Sequence, residues 1–98
     1  MTTLHVINKT PSESSALRDS LIAMSDGDAL LLIENGVYAT LPAYSEHFSR
    51  LTANVQCYLL TDDAQARGLN DLNQDFCGID YDGFVELSCR YSKVVSWF

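Results

Sequence analysis

A chain of 98 residues is long enough for one domain, residues 1–98, that buries roughly 65% of its unfolded surface, and too short for two. Thirteen acidic residues against six basic ones give a net charge of -7, which would repel a phosphate backbone and argues against direct nucleic-acid binding. With 47% hydrophobic and 19% charged residues the chain is apolar for its size, so some apolar surface is expected at an interface.

The longest apolar run is five residues, and no apolar core follows a basic start, so no membrane span or export signal is visible. Cys57, Cys77 and Cys89 are odd in number, form no C-x-x-C and have no histidine at zinc-ligand spacing, as expected of reduced cytoplasmic thiols.

Residues 4–7 favour a first strand, ended by Asn8-Lys9. Thr10-Pro11-Ser12-Glu13 has the spacing of a capping box and predicts a helix start there. Leu17, Leu21 and Met24, with Ala16 and Ile22, then form a core-facing stripe, while Arg18, Asp19 and Ser20 face away. Gly27 suits a left-handed cap after this helix.

Residues 29–33 are apolar without alternation and sit between Asp26-Gly27-Asp28 and Glu34-Asn35-Gly36. Less than two helical turns long, they read as a strand buried on both faces, with Gly27 and Gly36 free to take positive φ at the reversals. Val37-Tyr38-Ala39 fits either a hairpin arm or a loop over the sheet edge. Leu41, Tyr44, Phe48 and Leu51 have helical spacing behind Pro42.

Residues 55–60 form the third strand, and Thr61-Asp62-Asp63 with Gln65 can cap a two-turn helix that ends at Arg67-Gly68. A polar loop over residues 70–74 follows, then a fourth strand weakened by Gly78. Asp82 can cap a last helix with Phe84, Val85, Ser88 and Tyr91 on one stripe, and residues 94–98 close the chain as an apolar strand or tail. Strands alternating with helices predict a three-layer α/β fold with a mostly parallel sheet, whose strand order the sequence does not reveal.

No assembled active site is evident. Cys77, in a loop before Gly78, is the one candidate nucleophile, although Asp75 and Asp80 beside it oppose thiolate formation. Cys57 reads as a core thiol and Cys89 as a helix-packing thiol. His5 and His47 lack companions at ligand or triad spacing, and Asp62-Asp63 and Asp80/Asp82 are explained as caps. No glycine-rich phosphate loop, metal-ligand cluster or cofactor motif stands out. Trp97 and Phe98 at the chain end must dock on the chain's own core or on a partner, and with Tyr38 and Tyr44 they are the interface candidates.

Five pieces in order, Leu4-His5-x-x-Asn8-Lys9-Thr10-Pro11, Gly27-Asp28-x-Leu30-Leu31-Leu32-x-Glu34-Asn35-Gly36-Val37-Tyr38-Ala39, Ala66-Arg67-Gly68-Leu69, Asp80-Tyr81-x-x-Phe84-Val85-x-Leu87 and Trp97, resemble the TusB/DsrH family over almost the whole chain. The resemblance implies the DsrE/DsrF-like fold and a cytoplasmic sulfur-relay subunit. Its partners would be TusC/DsrF-like and TusD/DsrE-like chains in a heterohexamer, with self-association as the alternative for the chain alone. In the Tus branch such complexes pass sulfur toward 2-thiouridine at the tRNA wobble position, and in the Dsr branch they serve sulfur oxidation. The principal sulfur-carrying cysteine belongs to the TusD/DsrE-type partner. DsrH-type members can carry a cysteine in the first helix, where this chain has Ser20, so the resemblance points to a structural subunit with no catalytic residue or cofactor of its own.

Overall fold

The computed structural model describes residues 2–49, 54–69 and 75–98. Leu51 and the polar loop expected over residues 70–74 lie outside them. The described strands are β1 (Thr3–Ile7), β2 (Ala29–Leu32), β3 (Gln56–Leu60), β4 (Cys77–Ile79) and β5 (Lys93–Trp97). They form one sheet in the order β4-β3-β2-β1-β5, with every neighbouring pair parallel. The helices are α1 (Ala16–Ala23), α2 (Ser45–Ser49), α3 (Thr61–Ala66) and α4 (Tyr81–Arg90). A 3-10 helix at Glu34–Thr40 and a 3-10 turn at Pro42–Tyr44 lead into α2.

The unalternating run is the sheet's centre. Ala29, Leu30, Leu31 and Leu32 are all fully buried, because α-helical layers cover both faces of β2. Each leucine contributes about 1.5–3 kcal/mol by leaving water. On one face, Ile7, Leu30, Leu32 and Leu59 pack with Leu17 of α1, Met24 just past its end, Val37 and Ala39 of the 3-10 helix, and Ala64 of α3. On the other, Leu4, Val6, Ala29 and Leu31 pack with Leu87 of α4, flanked by Phe84 and Tyr91. The expected three-layer α/β fold is therefore present.

Several local expectations are corrected. Thr10 to Glu13 make a turn, closed by the Glu13 amide donating to the Thr10 carbonyl at 3.1 Å, and α1 begins only at Ala16. The intervening serines keep the backbone local: Ser14 Oγ accepts from the Ala16 amide, and Ser15 Oγ donates to Asp19. Within α1, Ile22 is 78% exposed while Ser20 is fully buried. At about 100° per residue, Ser20 lies about 60° from Leu17 and Ile22 about 140° away.

Gly27 has the positive φ expected of it, at +90°, but it turns the chain into β2 after Met24 has already left the helix in an extended conformation. Gly36 does not. There the left-handed residue is Glu34 at φ 49°, and Gly36 is needed because a Cβ would collide with the Ile7 carbonyl oxygen. Residues 37–39 are neither hairpin arm nor loop; they belong to the 3-10 helix. Asp80, not Asp82, caps α4 by accepting from the Gly83 amide at 2.8 Å. Val85, about 100° round from Phe84, is 63% exposed, and Leu87 takes its place in the core. No side chain caps α3; its Asp63 accepts instead from the Glu34 amide at the start of the 3-10 helix.

Candidate functional site

His5 occupies β1 and Asp28 the turn before β2, and the parallel register sets them side by side on the face covered by α1. Both are buried, at 4% and 5% exposure. His5 Nε2 lies 3.0 Å from Asp28 Oδ2, while Asp28 also accepts from the Thr3 amide at 2.9 Å and the Ser25 amide at 3.0 Å. Burial pushes the Asp28 carboxyl up, but the Ser25 amide, the His5 ring and the Thr3 amide outweigh it and hold its pKa below the ordinary carboxylate value. On the other side of the ring, Trp97 Nε1 donates to His5 Nδ1 at 3.0 Å, with the two rings stacked at 24°. Three separated stretches of the sequence thus meet in one chain of donors ending on a carboxylate.

A second assembly stands at the carboxyl ends of β2 and β3, the side of a parallel sheet where ligands are usually held. The Glu34 amide donates to Asp63 Oδ2 at 2.6 Å, which holds Glu34 in its left-handed conformation. Arg67 Nε donates to Asn35 Oδ1 at 2.9 Å and Nη1 to the Asp63 carbonyl at 3.0 Å. At the end of β1 the Asn8 side-chain oxygen is buried with no hydrogen-bond partner among the described residues. The loop after β1 opens on a cleft of about 310 Å³, lined by residues 11–15 with Arg18 and His47.

Cys77, the candidate nucleophile, is exposed at the start of the edge strand β4, and Cys89 is exposed on α4. Cys57 is half-buried in β3, where burial, reinforced by Asp75, pushes its thiol up to about 11, so it is a neutral thiol at pH 7. Ser20 is fully enclosed and its Oγ donates to the Leu17 carbonyl at 2.7 Å. Among the described residues no three of His, Cys, Asp or Glu are grouped to hold a metal ion.

The aromatic interface candidates do not share one environment. Trp97 is half-buried against His5, and Phe98 beside it is 68% exposed. Tyr44 is half-buried with its ring 6.2 Å from that of His47, and Tyr38 is half-buried in the 3-10 helix. Sequence reasoning missed the joining of His5, Asp28 and Trp97. The available signal was that all three stand inside the motif pieces that carry the family resemblance.

A model of the family described as "DsrH like protein" matches residues 9–94. The chain is 34% identical over 97 residues to Protein TusB of Escherichia coli O81 (strain ED1a), covering 96% of this chain and 99% of that protein. It matches Protein TusB of Shigella boydii serotype 18 to the same extent. Among solved structures, the ychN protein of E. coli superposes with a TM-score of 0.70 at 17% identity, covering 98% of this chain and 99% of that one. Protein Tm0979 of Thermotoga maritima does so with a TM-score of 0.65 at 23% identity, covering 89% and 92%. These two show a shared fold. Among the described residues no helix is long and apolar enough to cross a membrane.

Proposed function

Since this chain belongs to the TusB/DsrH family, we propose that it is the TusB-type structural subunit of a cytoplasmic sulfur-relay complex that supports 2-thiouridine formation at the tRNA wobble position. It assembles with TusC/DsrF-like and TusD/DsrE-like chains as a heterohexamer and leaves the sulfur-carrying step to the TusD-type partner. The observation that carries this reading is Ser20: where a DsrH-type cysteine would stand there is a fully buried hydroxyl already bonded to Leu17. A hydroxyl cannot hold a persulfide, and the half-buried Cys57 thiol is not activated. The net charge of -7 agrees with tRNA being handled by another protein.

Co-expression with TusC- and TusD-like chains, followed by native mass measurement, tests the assignment. Incorporation in equal stoichiometry is expected, and Trp97→Ala should weaken it. A defined homo-oligomer that ignores both chains would remove the assignment, and normal assembly by Trp97→Ala on a destabilised subunit would return Trp97 to a purely internal role.

The exposure of Cys77 favours a second reading, in which this chain carries persulfide sulfur itself. Intact mass after incubation with a persulfide donor separates the two. A one-sulfur adduct that disappears in Cys77→Ser supports the carrier, whether in tRNA thiolation or in a DsrH-type sulfur-oxidation complex, and no adduct supports the structural subunit.

A further inference from the structure

We propose that Trp97, His5 and Asp28 form a proton-controlled latch, in which neutral His5 holds the end of β5 against β1 and protonated His5 releases the Trp97 indole. This is a property of the chain itself and does not depend on its place in a complex. An indole N–H can only donate, so His5 Nδ1 presents its lone pair to Trp97 Nε1 across 3.0 Å. The neutral ring therefore carries its one proton on Nε2, directed at Asp28 Oδ2. A second proton can go only to Nδ1. Two N–H groups would then face each other, and one partner has to leave.

Which partner leaves follows from how each is held. Asp28 is tied to two backbone amides and gains a full ion pair when the ring becomes charged, so the imidazolium stays with it. Trp97 sits half-exposed on an edge strand that has a neighbour on one side only, where local opening is easiest.

The surrounding groups leave control to this pair. Among the described residues, Asp28 is the charged one that pairs with the ring. Lys93 stands at the other end of β5, opposite Thr3 and exposed, and Asp26 in the turn is exposed and accepts from the Asn54 amide. From α1, Leu17, Ser20 and Leu21 lie toward the core, as does Met24 just past its end, while Arg18 and Asp19 are exposed. Tyr91 lies close enough to feel Asp28, but burial pushes its phenol up, so it stays neutral while a histidine titrates.

Trp97 is the single tryptophan, so one indole N–H resonance reports the latch in nitrogen-15-labelled full chain. Above the His5 transition, seen in the ring nitrogen shifts, that proton should lie downfield and exchange slowly with water. On protonation it should move upfield and exchange roughly tenfold faster or more. His47→Gln, which removes the other histidine, should keep this behaviour. Asp28→Asn should move the transition to lower pH, because the imidazolium loses its carboxylate. His5→Phe should give the released indole signal at every pH. The latch is overturned if the indole signal and its exchange stay constant while His5 titrates, if His5 takes up no proton before the chain unfolds in acid, or if the indole remains protected in His5→Phe.

Discussion

His5, Asp28 and Trp97 on the face of the sheet beneath α1 and Glu34, Asn35, Asp63 and Arg67 at its carboxyl edge are both networks that draw on the family's motif pieces, with Asp63 the one member outside them, yet water treats them differently. In the first, the carboxylate and the imidazole are at least 95% enclosed, so each missing partner leaves a polar group with nothing to replace it. In the second, Glu34 and Asn35 are exposed, and solvent can take over any bond that is lost. Similar hydrogen-bond lengths therefore stand for different free energies. Stability should depend on the first network and be largely indifferent to the second.

The largest effect should come from Asp28→Ala, which strands the Thr3 and Ser25 amides and His5 Nε2 together. We expect about 3–5 kcal/mol of lost stability in urea unfolding at pH 7, equivalent to a melting temperature lower by roughly 12 °C or more. Acid should erase part of that difference. The folded pKa of Asp28 lies below its unfolded value of 3.8, so its contribution is complete above that value and is lost as pH falls from there through the folded pKa. Between about pH 4 and pH 2 the wild type should thus lose more stability than Asp28→Asn.

Next in size, Trp97→Phe keeps an aromatic ring against His5 but leaves Nδ1 unpaired, and should cost about 1–2 kcal/mol in the same assay. At the other network, Arg67→Ala gives up two hydrogen bonds beside exposed groups and should cost no more than about 1 kcal/mol. A cost for Arg67→Ala equal to that of Asp28→Ala would abolish the contrast.

The sequence made some of this legible for physical reasons. An unalternating apolar run too short for a helix has one good explanation, a central parallel strand, and residues 29–32 are that strand. Strand order was not legible, because parallel strands are joined by crossovers and carry no hairpin turn that would fix their neighbours. Thr10 to Glu13 matched a capping box without being one, since a pattern of four residues cannot tell a turn gathered around the Thr10 hydroxyl from a helix start. His5 and Asp28 looked solitary because they are 23 positions apart and only strand pairing brings them together.

The strand order also dictates how the sheet must be completed during synthesis. β1 is made first, yet one of its two edges waits for β5, and the bond from Trp97 to His5 closes across 92 positions of sequence. Until β5 arrives, β1 offers an unpaired row of amides and carbonyls, the kind of edge on which nascent chains aggregate. Contacts between residues so distant in sequence form slowly. In the growing polypeptide, β5 and its tryptophan are the seal on an edge left open since the first strand was made.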